Sequence, residues 1–235
     1  MSDLNFSLAL KKRAEEARKS GTRAGENSAL TRRIYDHVAS IYPASTFFFH
    51  SRAHVRALEH SGIRDGMRVL EVATGSGEMF RRLIRANPGG KTFGLDLSPN
   101  MAARTQQRAR AEFPTSQAHC GAVDVRHMPF QDSSFDAVVC CYLFELLREE
   151  DIRLTLGEIR RVLRAGGSFS LVVIGENGPF FNRLYRLAGG LVPAFWGRQV
   201  ERTAPEMIEQ AGMKIVKTEP VRQSGYPSRV LIARR

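Results

Sequence analysis

Apolar residues recur at two periods along this chain, and the switching between them lays out its architecture. Short strand-like runs occupy Met67–Val72, Thr92–Asp96, Ala118–Val123, Phe135–Cys141 and Ser168–Ile174, and Phe135–Cys141 has the apolar continuity of a strand buried on both faces. Between them apolar positions return every three or four residues, the spacing of a helix with one face on a core. Such stretches cover Met79–Arg85, the segment from Ser98 to Pro114, and Asp151–Leu163. Ser98 is placed to cap its helix with Pro99 in the first turn, and Gly166-Gly167 is expected to stop the last one. Thr203-Ala-Pro-Glu206 reads as a capping box, and two strands, Lys214–Thr218 and Arg229–Ala233, close the chain. Strand alternating with helix predicts an α/β protein built on a doubly wound, mostly parallel, Rossmann-like sheet.

Upstream, helical spacing predicts N-terminal helices: a basic one over residues 3–20, a second carrying Leu30, Ile34, Val38 and Ile41 and ended by Pro43, and a third from near Phe47 to Gly62. Residues 1–62 are therefore read as a helical extension over the active site, and 63–235 as the α/β domain. Residues 179–197 break the alternation with interleaved aromatics and arginines, among them Phe180, Phe181, Tyr185 and Trp196. That stretch is either a lid or a segment lying in a membrane interface.

With 235 residues, 43% of them hydrophobic, the chain can bury one large core. Adjacent Cys140 and Cys141 point to opposite faces of a strand, which suits neither a disulfide nor a metal pair, so the three cysteines read as small apolar residues of a reduced, cytoplasmic protein. No signal peptide or spanning helix is expected, and no His/Cys/Asp spacing supports a metal site. A net charge of +11 attracts polyanions. In the absence of a nucleic-acid motif, an anionic membrane surface is the expected partner, met through the basic N-terminal helix and residues 179–198.

The chemistry concentrates where the first strand run ends. Glu71 closes the apolar run and Thr74-Gly-Ser-Gly77 follows, a turn that lets a ligand approach the backbone. A second acid, Asp96, ends the next strand. The dinucleotide fingerprint would need a glycine where Phe80 stands, and no phosphate-loop Gly-Lys-Ser/Thr run exists. A phosphate-free nucleoside fits better, with S-adenosylmethionine the commonest, although Gly-Ser-Gly alone could be a mere tight turn.

Five blocks then appear in order: Val69-Leu-Glu-Val-Ala-Thr-Gly-Ser-Gly77, Gly94-Leu-Asp-Leu-Ser-Pro-Asn-Met101, Asp124 with Met128-Pro-Phe130, Ser134-Phe-Asp-Ala-Val-Val139 and Arg161-Val-Leu-Arg-Ala-Gly-Gly167. On these the chain, from about Leu30 onward, resembles the class I S-adenosylmethionine-dependent methyltransferases. The resemblance implies a seven-stranded sheet whose last strand is antiparallel. It implies that Gly75 and Gly77, beside Ala73, receive the methionyl part, that Glu71 holds its ammonium, that Asp96 takes the ribose hydroxyls with Leu97 adjoining, and that Met101 packs beside the adenine. Asp124 and the Val125 backbone would read the adenine edge, and Cys141 and Tyr142 would border the methyl-transfer face. The family often has glycine at Ala73, which an alanine with negative φ would tolerate.

Within the class the chain is similar to two lipid-directed groups, the bacterial phosphatidylethanolamine N-methyltransferases and the ubiquinone/menaquinone C-methyltransferases. The Tyr-Asp-x-Met-Asn and Glu-x-Ser signatures of the quinone group are missing here. N-methylation of phosphatidylethanolamine to phosphatidylcholine is the leading expectation, with the enzyme docked peripherally on the membrane. C-methylation of a quinone precursor is the rival, and an RNA-directed enzyme or a relative that has lost the cofactor are further alternatives. Tyr35 and Tyr42, seven apart on one helix face, and Tyr142 are candidate catalytic residues, with His50 and Tyr185 facing the substrate. The other histidines, His37, His54, His60, His119 and His127, read as surface or capping residues.

Overall fold

The computed structural model describes residues 42–175, 199–223 and 227–235, with side chains from residue 51 onward. Seven strands form one sheet in the order β3-β2-β1-β4-β5-β7-β6. Their bounds are Arg68–Val72 (β1), Lys91–Asp96 (β2), Gln117–Ala122 (β3), Phe135–Cys141 (β4), Leu163–Ile174 (β5), Lys214–Val221 (β6) and Ser228–Arg234 (β7). The helices are α1 (Tyr42–Ser61), α2 (Glu78–Ala86), α3 (Pro99–Glu112), α4 (Glu149–Val162) and α5 (Ala204–Gln210). Strands β1 to β5 pair in parallel, whereas β7 is antiparallel to both β5 and β6, as the resemblance implies.

Side-chain alternation sorts the strands into two apolar layers. Leu70, Val72, Phe93, Leu95, Val138, Cys140, Phe169 and Leu171 face α4 and α5, which contribute Ile152, Leu156, Ile159, Met207 and Ile208. Val69, Ala137, Val139, Val172, Val230 and Ile232 face the other way, onto Ala53 and Ala57 of α1 and Met79 and Leu83 of α2. Cys140 and Cys141 thus lie on opposite sides of the sheet, and all three cysteines are free.

Several boundaries differ from the sequence reading. The third helix starts at Tyr42 instead of near Phe47 and holds Pro43 in its first turn, where a missing N–H costs nothing. Its sheet-facing contacts are Ala53, His54 and Ala57, while Val55 and Leu58 are only half-buried. Gly166-Gly167 does not stop α4. Leu163, fully buried, already adopts extended angles (φ −69°, ψ 137°), and the register jumps from Phe135↔Leu163 to Ala137↔Ser168, so the glycines lie in an irregular start to β5. The capping box at Thr203 is also absent. Thr203 has helical backbone angles, and its hydroxyl donates to the Val200 carbonyl at 3.3 Å. Ser98 does cap α3, its Oγ accepting from the Met101 amide at 3.2 Å.

No helix among the described residues is long and apolar enough to cross a membrane. The basic N-terminal helix and residues 179–197 lie outside the described residues.

Candidate active site

The strand order reverses between β1 and β4, because β1 continues to β2 on one side and β4 to β5 on the other. Such a switch point leaves a crevice at the carboxyl ends of the strands. The segments that follow β1, β2, β3 and β4 carry most of the predicted site residues to that edge.

Glu71 sits one residue before the end of β1 and is only 2% exposed. Its Oε2 is buried without a hydrogen-bond partner. Burial, and then the charges of Asp96 and Glu78, push its carboxyl well above the usual range. A buried acid among acids, with an orphaned oxygen, is a site for a cation.

The turn after β1 is fastened from below and open at one point. Gly75 has φ +49° and its amide donates to Asp96 Oδ2 at 2.7 Å; a Cβ built there would meet nothing within 4 Å. Gly77 has φ +78°, and a Cβ there would come within 2.8 Å of Thr105 Oγ1. Gly75 therefore leaves room for a ligand against the backbone, whereas Gly77 makes room for α3. Ala73 corrects the expectation of a negative φ: it lies at +63°, in the left-handed region.

Asp96 ends β2 and is buried. Besides Gly75, it accepts from the Ser98 amide through Oδ1 at 2.9 Å, and its backbone carbonyl accepts from the Val123 amide at 2.8 Å. It therefore joins the turns after β1, β2 and β3. Leu97 is half-buried next to it, and Met101 is buried in the first turn of α3. Past β3, the Asp124 carboxylate accepts from Arg126, whose side chain reaches on to Asp151 of α4.

Past β4, Cys141 is half-buried and Tyr142 takes φ +55°, a second left-handed residue without the excuse of being glycine. The Tyr142 hydroxyl lies 2.8 Å from Ser228 Oγ and accepts from Gln223 Nε2 at 3.4 Å; Gln223 also donates to Ser228 Oγ at 2.9 Å and accepts from the Ala53 amide at 3.2 Å. Burial, above all, raises the phenol's pKa, so it stays neutral. His54 of α1 corrects its reading as a surface or capping residue: it is buried, with its ring centroid 6.0 Å from that of Tyr142. His60 instead pairs with Glu219 at 2.7 Å, and His119 lies against Phe93.

Three groups escaped the sequence reading. Glu145, in the one-turn helix Phe144–Leu146, is 2% exposed; Oε1 accepts from the Ile174 amide at 2.5 Å, Oε2 has no partner, and burial lifts its pKa to about 7. An acid inside the apolar run Tyr142-Leu-Phe-Glu-Leu-Leu147 was the available signal. Arg126 and Gln223 gave none, because an i,i+2 ion pair and a glutamine outside any element leave no periodic trace. Of the remaining candidates, Tyr35 and Tyr185 lie outside the described residues. Tyr42 and His50 are placed on the backbone of α1, their side chains outside the description.

These groups fit S-adenosylmethionine. The orphaned Glu71 oxygen matches a ligand ammonium, the open face of Gly75 admits an aminoacyl chain, and Asp96 brings a carboxylate, the acceptor type that hydroxyls need, to the same turn.

Residues 69–167 match a family model described as a methyltransferase domain. The chain is 30% identical over 146 residues to a 2-phytyl-1,4-naphtoquinone methyltransferase of Trichormus variabilis, covering 60% of this chain and 63% of the relative. It is 31% identical over 153 residues to a demethylmenaquinone methyltransferase of Thermus thermophilus, covering 60% and 66%. The matches thus span a little under two thirds of the length of these curated relatives. Among solved structures, a SAM-dependent methyltransferase from Aquifex aeolicus superposes with a TM-score of 0.63 at 18% identity, over 85% of this chain and 97% of that one, a likeness of fold. Sheet order, family-model match and the groups converging above β1 agree: the chain carries a class I S-adenosylmethionine-dependent methyltransferase domain, with S-adenosylmethionine as the domain's cofactor.

Proposed function

We propose that this chain methylates a prenylated quinone-type ring from S-adenosylmethionine, the ring carbon acting as nucleophile. The observation that carries the methyl-transfer reading is the orphaned Glu71 carboxylate beside the open face of Gly75. The acceptor class rests on the relatives, which are named for quinone substrates. On that ground the quinone ring replaces the phosphatidylethanolamine headgroup as the leading acceptor.

The cofactor supplies an electrophilic methyl group on a positively charged sulfur. Everything else falls to the chain. Glu71 anchors the ammonium, Gly75 admits the aminoacyl chain, and Asp96 holds the ribose while fixing the turn that carries Gly75. Methyl transfer is an in-line displacement, so fixing these groups in advance is the main catalytic contribution. A hydroquinone carbon becomes nucleophilic as its ring hydroxyl loses a proton; once methylated, that carbon would give up its own proton, and return of a proton to the ring oxygen restores the hydroquinone. Glu145, titrating near neutrality just past β4, is suited to take it, and Tyr142, held neutral by Ser228 and Gln223, is suited to orient the ring oxygen. Tyr35, Tyr42, His50 and Tyr185 would complete the acceptor side.

A lipophilic acceptor also calls for a membrane. We place the basic N-terminal helix and residues 179–198 on anionic lipid, each basic residue contributing on the order of 1 kcal/mol near the surface. Sedimentation with anionic vesicles should weaken at high salt, and equal binding to neutral vesicles would discard this docking.

The test of function is methyl transfer from labelled S-adenosylmethionine to vesicles holding a demethylated naphthoquinol, to phosphatidylethanolamine vesicles and to total RNA. Label in the quinol fraction, lost in Asp96→Ala, is expected. Label in phospholipid or RNA alone would overturn the acceptor assignment, and absence of cofactor binding by calorimetry would overturn the enzyme.

A further inference from the structure

The resemblance assigns Asp124 to the adenine edge, where its carboxylate would accept a hydrogen bond from the exocyclic amine. The surroundings of Asp124 contradict that role. A carboxylate offers about four lone-pair positions. The Arg126 amide donates to Oδ1 at 3.0 Å, Nε donates to Oδ1 at 2.9 Å and to Oδ2 at 3.1 Å, and a terminal guanidinium nitrogen donates to Oδ2 at 2.6 Å. Three N–H groups of one neighbour two residues away, the Nε–H shared between both oxygens, thus engage the whole carboxylate.

Arg126 is itself held from the far side. Its other terminal nitrogen donates to Asp151 Oδ1 at 2.8 Å, and Asp151 Oδ2 accepts from Arg148 Nε at 3.1 Å. The chain Asp124–Arg126–Asp151–Arg148 contains two acids and two bases, so it carries no surplus charge to attract a new donor. Burial raises the pKa of Asp124, but the Arg126 bonds outweigh it and leave the carboxyl below its ordinary value.

An incoming adenine amine is a neutral donor. Its bond to a carboxylate is weaker than the bidentate, charge-assisted pairing it would have to displace, and displacement would leave a guanidinium that is only 15% exposed with Asp151 as its one remaining acid. The arginine wins. The Val125 amide, by contrast, donates to no group among the described residues, and stays available to a ring nitrogen.

We propose that Arg126 is a positioning residue of the adenine pocket: it sequesters Asp124, so the purine is read through the Val125 backbone and its 6-amino group goes unread. This rests on S-adenosylmethionine being the cofactor. The tripartite link also ties the turn after β3 to the first turn of α4, directly downstream of the segment past β4.

The test is calorimetric titration with S-adenosylhomocysteine and with its analogue lacking the 6-amino group. The ratio of the two affinities in the parent chain should stay within about threefold in Asp124→Asn. In Arg126→Met, which frees the carboxylate, the preference for the amine should rise about tenfold, the worth of a hydrogen bond to a charged group. Thermal melts identify which variants fold, and either one alone decides. A ratio that falls more than threefold in Asp124→Asn, or that does not rise in Arg126→Met, overturns the proposal. If the parent binds neither ligand, the cofactor assignment falls first and this inference with it.

Discussion

The segments that follow β1 and β4 begin alike and end differently. These strands are parallel neighbours, each followed by a non-glycine residue in the left-handed region, Ala73 and Tyr142, and each has a 2%-exposed glutamate with one orphaned oxygen, Glu71 and Glu145. Glu71 has acids around it, Asp96 and Glu78, and among the described residues no base answers its charge. Glu145 has its other oxygen on the Ile174 amide, and burial dominates its titration. The first segment is unfinished without a cation, whereas the second is half-completed by the chain's own backbone. In the proposed reading, one carboxylate meets the ammonium of the cofactor and the other exchanges a proton.

Four substitutions separate these roles. Glu71→Gln should have the largest effect, weakening S-adenosylmethionine binding on the order of a hundredfold by calorimetry, because it removes the partner of a buried ammonium. The folded chain without ligand should be no less stable for it. In the parent, binding should tighten as pH rises above the ordinary carboxyl range, since the raised Glu71 carboxyl must lose its proton to meet a cation, and Glu71→Gln should flatten that slope. A flat parent profile would end the contrast between the two acids.

Glu145→Gln comes next, and acts on stability instead. Folding raises this carboxyl from 4.5 to about 7, so the native chain keeps a proton that the unfolded chain has already lost. Stability therefore declines as pH climbs through that window. Glu145→Gln should gain roughly 2 kcal/mol at pH 8 in denaturant titration, with the gain shrinking toward pH 4.5. Methyl transfer should fall while cofactor affinity is kept; unchanged turnover would leave Glu145 a structural acid.

Tyr142→Phe removes the hydroxyl shared with Ser228 and Gln223 and should cost about 1 kcal/mol. Smallest of all, Ala73→Gly should stabilise the chain by roughly 0.5 to 1 kcal/mol, relieving a left-handed alanine less the added freedom of the unfolded chain. A loss of stability there would mean that the Ala73 methyl makes contacts that repay its strain.

What sequence could reveal follows from how each feature is encoded. The parallel strands were legible because burial on both faces demands short, mainly apolar runs, and Phe135–Cys141 was placed to the residue. The glycine turn and both acids at the ends of β1 and β2 were legible because their chemistry is local. The sheet-facing side of α1 was not, because Ala53, His54 and Ala57 bury by being small or by packing a ring, not by being greasy. Gly166 misled because glycine marks a bulge as readily as a helix end. The surroundings of Tyr142 depend on Gln223 meeting both it and Ala53, contacts that no window of sequence contains.

Strand β7 runs against its neighbours, and that reversal has a consequence for the order of assembly. It returns Ser228 to the edge where Tyr142 waits, with Gln223 arriving from the end of β6. During synthesis, Glu71, Gly75 and Asp96 emerge from the ribosome more than a hundred positions before Gln223 and Ser228. A nascent chain should thus acquire the turn that carries Gly75 and Asp96 before the contacts that hold the Tyr142 hydroxyl.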